Sequence, residues 1–265
     1  MIIKEIKSKT IIAKSNLPGT DYVINPYVGC SNACIYCYAR FMKKFTNHNE
    51  DWGQFVDVKI NAPELIPNND KKYKGKSFFM SSVTDPYLKL EEKYKITRQI
   101  LERLINWDID LSIQTKSNLI LRDIDIIKKF KNCKVGLTLT TTDDNLRKEI
   151  EPFASSVDSR INVLKKIKEN HIKTYVFIGP IMPYFSNWKD IVIKTNNYVD
   201  FYYFDHLNIK GEIWYSVVKW LKNNHSEYLK NYISIYNTNN NYWINLKKEI
   251  ELFCAENNIN KIICF

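Results

Sequence analysis

Short apolar runs alternate with longer amphipathic stretches along the chain. The runs are rich in β-branched and aromatic residues, and the run YVFIG is apolar without alternation, as expected of a strand covered on both faces. They predict strands at DYVIN (21–25), KSFFMSSV (76–83), DIDLSIQT (108–115), KVGLTLT (134–140), KTYVFIG (173–179) and VDFYYFDHL (199–207).

The stretches between these strands have apolar residues at helical spacing. They predict helices at ITRQILERLINW (96–107), DIDIIKKFK (123–131), SRINVLKKIKEN (159–170) and NWKDIVIKTNNY (187–198). In the second of them, Asp123 is placed to cap the first turn. In the third, Leu164 and Ile167 fall on one face with Ile161, which predicts the side that is buried.

Strands that alternate with helices form right-handed βαβ units and a parallel sheet. Six units are too few for an eight-stranded barrel, so we predict an α/β fold with an open parallel sheet, a partial (β/α)6 TIM-type barrel. A doubly wound sheet is the alternative. We expect one domain over residues 1–265, with a core at about 20–210 and a C-terminal extension at about 211–265. The extension predicts two or three helices, an Asn-rich loop at 237–242 and a last apolar segment, KIICF.

The composition is that of an ordinary globular protein, with 45% hydrophobic and 26% charged residues. The sequence has no run of about 18 apolar residues, and its N-terminus has no apolar stretch long enough for a signal peptide. We therefore expect a cytoplasmic protein that does not span a membrane. In that reducing compartment a tight group of cysteines binds metal more often than it forms disulfides.

The formal net charge of +10 has two interpretations. A basic chain is typical of nucleic-acid binding. However, lysine supplies nearly all of the positive charge, whereas phosphate and base contacts favour the planar fork of arginine. The chain is also rich in Asn and Ile, a joint bias that a skewed genome composition would produce. Solubility alone and a nucleic-acid partner both stay open.

The strongest chemical signal is NPYVGCSNACIYCYAR (25–40), in which Cys30, Cys34 and Cys37 follow the spacing C-x3-C-x2-C. Such thiolates select iron–sulfur clusters or zinc. A closed zinc site requires four ligands, whereas a 4Fe–4S cluster on three thiolates keeps one iron free. That iron can chelate the amino and carboxylate groups of S-adenosylmethionine (SAM). Electron transfer into the sulfonium then generates a 5′-deoxyadenosyl radical.

Zinc is the alternative interpretation. Its fourth ligand would be a distant histidine or another cysteine, and the choices are His48, His171, His206, His225, Cys133, Cys254 and Cys264. The histidines have no ligand-like spacing among themselves. The other three cysteines lack the compact spacing of a second cluster, so we interpret them as small buried apolar residues.

The residues around the cysteines also fit SAM chemistry. Tyr36, just before the third cysteine, is an aromatic that can pack on adenine. The motif follows a predicted strand and precedes a helical stretch, so it forms a βα loop at the carboxyl-terminal mouth of the barrel, where active sites of this fold lie. The sequence has no G-x-G-x-x-G, which excludes a dinucleotide-type cradle.

With these motifs in place, the sequence resembles the radical SAM superfamily, and within it the spore photoproduct lyase-like branch, often labelled DNA repair photolyases. The resemblance covers about two thirds of the chain, in the family's order. Besides the cysteine motif, it is carried by VDVKINAPELI (56–66), SSVTDPYLKLE (81–91), ITRQILERL (96–104), TKSNLILRDIDII (115–127) and LTLTTTDDNLRKEIEPFASSVDSRINVLKKIKENHIKTYVFIGPIMP (137–183). Roughly the last 60 residues resemble no family.

The resemblance implies where the methionyl end of SAM binds. Its ammonium would lie at the end of the second strand, near Ser81, Ser82, Thr84 and Asp85, whose oxygens accept hydrogen bonds. The alternative is a capped turn, since T-D-P-Y is also a good turn sequence. The carboxylate of SAM would meet Lys116, for which a solvated surface lysine is the alternative.

The adenosyl end of SAM would lie along the next two strands. Thr138 and Thr140 alternate on the fourth strand and point to one face, where they would reach the ribose or the carboxylate. Ordinary β-branched strand filling is the alternative. Gly179, in FIGPIMP, would let the backbone approach adenine closely, unless it only forms a turn before Pro180.

Two further residues bear on the reaction. In the lyases that the sequence resembles, a Tyr at the place of Tyr38 lies between SAM and substrate and relays a hydrogen atom; an aromatic that only packs is the alternative. Those lyases also return a hydrogen atom from a cysteine at the end of the second strand. Here FFMSSVTD (78–85) has no cysteine, and Ser82 stands at about that place. Because an O–H bond is too strong to donate a hydrogen atom to a carbon radical, we expect radical generation without repair of thymine lesions.

The expected function is reductive cleavage of SAM at a 4Fe–4S cluster, followed by hydrogen abstraction from a substrate. The expected partners are an electron donor of the flavodoxin or ferredoxin type and the substrate itself. Nucleic acid is slightly ahead of a peptide or a small molecule as substrate, on the strength of the family and the charge alone. A non-catalytic module that binds zinc or a structural cluster is the remaining hypothesis.

Overall fold

The computed structural model describes residues 1–237 and 240–265. Its strands are β1 (Ile2–Ile6), β2 (Ile12–Lys14), β3 (Tyr22–Ile24), β4 (Tyr27–Val28), β5 (Phe55–Lys59), β6 (Ser77–Met80), β7 (Asp110–Thr115), β8 (Asn132–Thr138), β9 (Lys173–Ile181), β10 (Phe201–His206) and β11 (Lys261–Ile263). Its α-helices are α1 (Glu91–Tyr94), α2 (Ile96–Leu104), α3 (Ile124–Ile127), α4 (Asp144–Ile150), α5 (Val157–Glu169), α6 (Trp188–Thr195), α7 (Glu212–Asn224), α8 (Leu229–Asn237) and α9 (Tyr242–Glu256). Short 3-10 helices cover Tyr38–Phe45, Ala62–Leu65, Asn118–Asp123, Asn196–Tyr198 and Ser226–Tyr228. Positions 238 and 239 of the predicted Asn-rich loop lie outside the described residues.

In the described chain the main sheet has eight strands, in the order β11-β10-β9-β8-β7-β6-β3-β2. Neighbouring strands from β3 to β11 are parallel, and β2 runs antiparallel on the outer side of β3. The predicted strands correspond to β3, β6, β7, β8, β9 and β10, and they lie side by side in chain order. This confirms the α/β fold with an open, partial barrel. A doubly wound sheet would instead reverse its strand order at a switch point.

The two faces of the sheet differ because side chains alternate along each strand. Ile113 of β7, Leu137 of β8 and Ile178 of β9 are fully buried in the main apolar core. On the opposite face, the hydroxyl of Tyr175 lies 3.1 Å from Oγ of Ser112, which is two strands away. This face is the inside of the partial barrel, and the site lies at its carboxyl-terminal end.

The helices α2, α5 and α6 follow the strands with small changes from their predicted limits, whereas α3 covers only Ile124–Ile127 of the predicted 123–131. α5 begins after Ser156, whose side chain accepts a hydrogen bond of 3.3 Å from the backbone N–H of Ser159. Leu164 and Ile167 are fully buried, as the periodicity of the sequence predicts.

Asp123 does not cap a helix, so that prediction is wrong. Its carboxylate makes no hydrogen bond to the backbone at the start of α3. It is fully buried between two guanidinium groups, 3.0 Å from that of Arg98 and 2.8 Å from that of Arg122. The ion pairs prevail because a buried carboxylate is stable only when its charge is compensated.

A second, small sheet has the order β1-β5-β4 in the described chain, and the sequence pattern did not predict it. β1 pairs parallel with β5, and β4 pairs antiparallel with β5, with Tyr27 opposite Val58. β4 is only two residues long, too short for a recognisable alternation of polar and apolar positions. β4 lies within the cysteine motif, just before Gly29 and Cys30, and therefore fixes where the cysteine-bearing loop begins.

The C-terminal segment contributes to the sheet and to the site. α7, α8 and α9 confirm the predicted helices, and KIICF supplies β11, which extends the sheet beyond the predicted core by pairing with β10. Trp220, Leu221 and Tyr232 share an apolar cluster with Cys34 and Tyr36 of the cysteine motif. That the whole chain is one domain stays a prediction. None of the described helices is long and apolar enough to cross a membrane.

Candidate functional site

The loop at 29–37, called here the cysteine loop, connects β4 to the 3-10 helix Tyr38–Phe45. Gly29 has a φ of 85°, and a Cβ at this position would lie 2.4 Å from the carbonyl oxygen of Phe55, so only glycine fits. The hydroxyl of Thr84 donates a hydrogen bond of 2.7 Å to the carbonyl oxygen of Gly29. The start of the loop is therefore held against both β5 and the segment that follows β6.

The cysteine loop brings together the three predicted thiols, which form no disulfide. Cys30 and Cys34 are buried, and Cys37 is partly buried. Burial raises the pKa of Cys30 and Cys34 to about 12 and that of Cys37 to about 11. The charge of a neighbouring thiolate raises each pKa further, because the three sulfurs are neighbours. Bound metal reverses this preference, since a coordinating thiol is deprotonated.

The zinc alternative requires its ligands to lie close to a single metal ion. Across residues 1–237 and 240–265, no three His, Cys, Asp or Glu side chains are gathered closely enough to hold one metal ion. A zinc site requires its thiolates about 2.3 Å from the metal. Two of the histidines are bound elsewhere: His48 lies between Glu50 and Asp57, and His225 lies 2.9 Å from Glu149.

The other cysteines lie in different environments. Cys133 is partly buried near the amino end of β8, which is the end of the sheet opposite the cysteine loop. Cys254 is buried in α9. Both behave as small apolar residues, as predicted. Cys264, just after β11, is exposed, so the prediction that it is buried is wrong.

Asp85 ties the cysteine loop to the carboxyl ends of β6 and β7. Its buried carboxylate accepts hydrogen bonds from the side chains of Asn32 (3.0 Å) and Thr115 (2.6 Å). It also accepts bonds from the backbone N–H groups of Lys116 (2.8 Å) and Tyr87 (2.9 Å). Four bonds fill the usual acceptor positions of a carboxylate. Asp85 therefore organises the protein around it, while its negative charge still attracts a nearby cation.

Ser81, Ser82 and Thr84 lie beside Asp85, after the end of β6. Ser81 is buried, and its Oγ has no hydrogen-bond partner among the described residues. A buried polar atom without a partner is costly, so this position fits a ligand group such as an ammonium. Ser82 is held differently, because its backbone N–H donates a hydrogen bond of 2.9 Å to Oδ1 of Asn25.

Lys116 directly follows β7, and its Nζ lies 5.8 Å from the centroid of the Tyr36 ring. Burial by itself lowers the pKa of Lys116, but nearby Cys34 and Glu151 outweigh burial, and the pKa is raised. Lys116 is therefore a charged ammonium beside the cysteine loop, which fits a ligand carboxylate.

Tyr36 is buried and held by a carboxylate that the sequence pattern did not single out. Its hydroxyl donates a hydrogen bond to Oε1 of Glu151, and Oγ1 of Thr140 lies 3.2 Å from both of these oxygens. The other carboxylate oxygen lies 2.5 Å from Arg160, and both charged side chains are 1% exposed. One signal was available in the sequence: Arg160 falls on the apolar stripe of α5, where a charge requires a buried partner.

Thr138 and Gly179 lie at the ends of β8 and β9. Oγ1 of Thr138 is 3.3 Å from Nε2 of Gln114, and the carbonyl oxygen of Gly179 is 3.4 Å from Oγ1 of Thr140. β9 continues past Gly179, so this residue is not in a turn. A Cβ at 179 would lie 2.1 Å from the ring of Phe177, so a larger residue would require that ring to shift. Its contact with adenine stays a prediction.

Tyr38 and Ser82, the two residues predicted to act in the reaction, are in contact. The side chain of Tyr38 is 54% exposed, and its hydroxyl donates a hydrogen bond to the carbonyl oxygen of Ser82. Tyr38 thus joins the end of the cysteine loop to the end of β6.

Comparison with known families identifies the class of protein. The family model of the radical SAM superfamily matches residues 24–192, which include the cysteine loop and most of the parallel sheet. An uncharacterized protein of Methanocaldococcus jannaschii is 48% identical over 209 residues, which cover 79% of each chain. The chain therefore belongs to the radical SAM superfamily.

Two more distant relatives match less of the chain. An uncharacterized protein of Acidianus two-tailed virus is 32% identical over 171 residues, which cover 61% of this chain and 56% of the viral one. A protein of Pseudomonas phage M6 described as a radical SAM Nalpha-GlyT isomerase is 24% identical over 168 residues. That match covers 63% of this chain and 34% of the phage protein.

Solved structures share the fold. Spore photoproduct lyase complexed with dinucleoside spore photoproduct superimposes with a TM-score of 0.65 at 15% identity, covering 83% of this chain and 66% of the lyase. SuiB of Streptococcus suis bound to S-adenosylmethionine superimposes with a TM-score of 0.53 at 16% identity. That match covers 91% of this chain and 49% of SuiB. The partial barrel is thus the fold of both proteins.

Proposed function

We propose that the protein cleaves SAM reductively at a 4Fe–4S cluster held by Cys30, Cys34 and Cys37. When bound, the cluster and SAM supply a 5′-deoxyadenosyl radical that abstracts hydrogen from a substrate. The observation that carries this proposal is one neighbourhood at the mouth of the barrel. There, three free thiols lie near the charged Lys116, and Ser81 at the end of β6 has a hydroxyl with no hydrogen-bond partner in the described part of the chain.

The charges at this mouth suit the methionyl end of SAM. The hydroxyl of Ser81 would accept a hydrogen bond from the ammonium, and the negative charge of Asp85 would attract it. Lys116 would bind the carboxylate. Burial raises the pKa of Cys34, and the charge of Lys116 opposes that rise. The same lysine therefore favours the thiolate that a metal ligand must become.

The adenosyl end would lie along the ends of β8 and β9. Tyr36 presents a ring whose hydroxyl is already bound to the protein, so that its face is left for adenine. The hydroxyls of Thr138 and Thr140 would meet the ribose, and the backbone of Gly179 would border the base. A structure with SAM bound would test each of these contacts.

The substrate side of the site has no thiol at the end of β6. Ser82 is the residue there, and its O–H bond is too strong to return a hydrogen atom to a carbon radical. The phenol of Tyr38, bound to the carbonyl oxygen of Ser82, is the better donor. We therefore propose that the enzyme does not efficiently repair spore photoproduct and acts on another molecule.

Nucleic acid is the substrate class that we propose. The 3-10 helix Tyr38–Phe45, which follows the cysteine loop directly, exposes the rings of Phe41 and Phe45. It also carries Lys43 and Lys44 and no acidic residue. Bases of a single strand stack on such rings, and each stacked base contributes about 1–3 kcal/mol to the binding free energy. Lysines attract the phosphates. The net charge of +10 supports the same partner.

Binding to a labelled single-stranded oligonucleotide tests this substrate class. We expect an affinity that falls steeply with added salt, because bound lysines release counterions. A Phe45→Ala, Lys44→Ala double variant should bind more weakly than the parent. Binding that is insensitive to salt and to this double variant would rule the class out.

A peptide or small molecule is the second candidate substrate. The observation in its favour is that SuiB, which has also been solved with its precursor peptide SuiA, shares the fold with a TM-score of 0.51. Anaerobic reduction of the reconstituted protein with SAM and either an oligonucleotide or a peptide separates the two, with mass spectrometry of the products. We expect 5′-deoxyadenosine and a mass change in the true substrate. A reduced, SAM-loaded protein that forms no 5′-deoxyadenosine would overturn the proposed function.

We further propose an electron donor of the flavodoxin or ferredoxin type, because reductive cleavage of SAM requires an electron. We also propose a cytoplasmic location, because the thiols have to be reduced in order to bind iron. The remaining hypothesis is a non-catalytic module that binds zinc. Broad absorption near 400 nm, with about four iron and four sulfide per chain, would remove it.

A further inference from the structure

We infer that Glu151 is a positioning residue for SAM, which it serves by holding Tyr36 and Thr140 in place. The inference rests on the proposed function. Oε1 of Glu151 accepts the hydrogen bond of the Tyr36 hydroxyl and lies 3.2 Å from Oγ1 of Thr140. One buried oxygen thus orients two of the side chains that we expect to border the adenosyl group.

Tyr36 is the residue through which this carboxylate reaches the cluster ligands. It lies between Cys34 and Cys37 in the chain, so its position is tied to that of both thiols. The preceding backbone N–H, that of Ile35, donates a hydrogen bond of 3.0 Å to the carbonyl oxygen of Ile150. Main chain and side chain therefore both fasten the second half of the cysteine loop to the end of α4.

Arg160 fastens the same carboxylate to the sheet. Its guanidinium lies 2.5 Å from Glu151 and donates hydrogen bonds to the carbonyl oxygens of Thr138 (2.9 Å) and Ser155 (2.8 Å). The ends of β8 and α4 and the cysteine loop are consequently joined through one buried ion pair. Removing its charge would release Tyr36 and leave Arg160 uncompensated.

Tyr36, Glu151 and Arg160 form a trio, and a second trio of Tyr, Glu and Arg offers a matched control. At the other end of the cysteine loop, the hydroxyl of Tyr27 donates a hydrogen bond to Glu91, which is fully buried and lies 3.0 Å from Arg122. This trio also anchors the loop. Its hydrogen bonds go to none of the residues predicted to bind SAM. Of the two trios, only the one around Glu151 contacts Thr140 and lies beside Lys116.

The test compares Glu151→Gln, Tyr36→Phe and Glu91→Gln in the reconstituted full chain. The readouts are iron and sulfide content, the unfolding midpoint, the SAM dissociation constant from equilibrium dialysis, and the electron paramagnetic resonance spectrum of the reduced cluster with and without SAM. We expect Glu151→Gln and Tyr36→Phe to keep their iron and to bind SAM about tenfold more weakly, a change that corresponds to about 1.4 kcal/mol. The change that SAM causes in the cluster spectrum should weaken in parallel.

The double variant Tyr36→Phe, Glu151→Gln should bind SAM no more weakly than the weaker of the single variants, because Glu151→Gln weakens the same contact that Tyr36→Phe removes. Glu91→Gln should lower the unfolding midpoint but keep its SAM affinity within about twofold of the parent. Tyr36→Phe removes a single hydroxyl, so it carries the test even if Glu151→Gln does not fold.

Unchanged SAM affinity in Tyr36→Phe would overturn the inference. An equal loss of affinity in Glu91→Gln would overturn it as well, because the effect would then belong to anchoring of the loop in general. A parent that takes up a cluster but no SAM contradicts the proposed function and, with it, this inference. That outcome is visible before any variant is made.

Discussion

The side-chain amide of Asn32 donates a hydrogen bond of 3.0 Å to the carboxylate of Asp85, across 53 positions of sequence. Asn32 lies between the first two cysteines, and Asp85 lies beyond the end of β6. Both side chains are buried. The bond sets the cysteine loop against the strand ends, which are the two sides of the proposed SAM site.

Asp85→Asn should therefore lower both stability and cluster uptake. An amide has one acceptor oxygen where the carboxylate has two, so donors that now bond to Asp85 lose their partner. We expect a loss of about 2–3 kcal/mol in the free energy of unfolding and lower iron content after reconstitution. Asp200→Asn is the control, because Asp200 accepts a 2.7 Å hydrogen bond from Thr174 at the amino end of the sheet. Parental iron content in Asp85→Asn would contradict this account.

Replacing any one of Cys30, Cys34 and Cys37 with Ala should abolish the cluster or its reaction with SAM. Each would supply one of the three thiolates of the proposed cluster. Iron and sulfide analysis, with absorbance near 400 nm, measures the loss. Cys133→Ala is the matched control and should keep the parental iron content. Reductive cleavage of SAM by the triple variant would show that the cluster is held elsewhere.

Lys116→Ala should weaken SAM binding by about 1–3 kcal/mol, the usual scale for a lost charge-assisted contact. The reason is that its raised pKa keeps the ammonium charged beside the cysteine loop. Equilibrium dialysis on the reconstituted protein provides the measurement. Lys134→Ala serves as the control, since Lys134 is a half-buried lysine near the amino end of β8. Equal affinities for SAM in the parent and Lys116→Ala would reject the assignment.

The protein should form 5′-deoxyadenosine without multiple-turnover repair of spore photoproduct. On our proposal Ser82 stands at about the place where a thiol would be required, and its backbone is held by Asn25 and Tyr38. Ser82→Cys should gain some repair, because an S–H bond is weak enough to donate a hydrogen atom. Ser82→Ala should gain none. Chromatography of the dinucleotide products measures the repair. Efficient repair by the parent would disprove the prediction.

Asp144 gives the fold a pH dependence in the acid range. Hydrogen bonds from Arg147 lower the pKa of Asp144 from 3.8 to about 2. A lowered pKa means that the ionised carboxylate stabilises the fold above about pH 4, and that this contribution is lost as the pH falls towards 2. Because Asp144 is partly exposed, the contribution is below about 1 kcal/mol.

Thermal unfolding of Asp144→Asn checks this sign. The variant should melt below the parent at pH 7, and the difference should shrink at pH 3, where the parent has begun to lose the same charge. A difference in melting temperature that is as large at pH 3 as at pH 7 would be inconsistent with the lowered pKa. Arg147 also donates hydrogen bonds to the carbonyl oxygens of Glu151 and Ala154, so the same variant reports on the turn that carries Glu151.

The order of strands and helices was readable from the sequence, because alternation and helical spacing are local patterns. Each predicted strand from 21–25 to 199–207 is present, and α5 buries the stripe that contains Leu164 and Ile167. The cysteine spacing was equally readable, since its ligands lie within eight positions of one another. Together these patterns determined the partial barrel and the place of the cysteine loop in it.

The partners of buried charges were decided only by the tertiary structure. Tyr36 and Glu151 are 115 positions apart, and no local period connects them. Asp123 has the sequence position of a helix cap, yet its carboxylate pairs with Arg98 from another segment and with the neighbouring Arg122, and not with the helix backbone. That the Ser81 hydroxyl has no hydrogen-bond partner among the described residues is likewise not predictable until its surroundings are known. Periodicity reports which side of an element is buried, whereas the compensation of a buried charge depends on residues that meet only when the chain has folded.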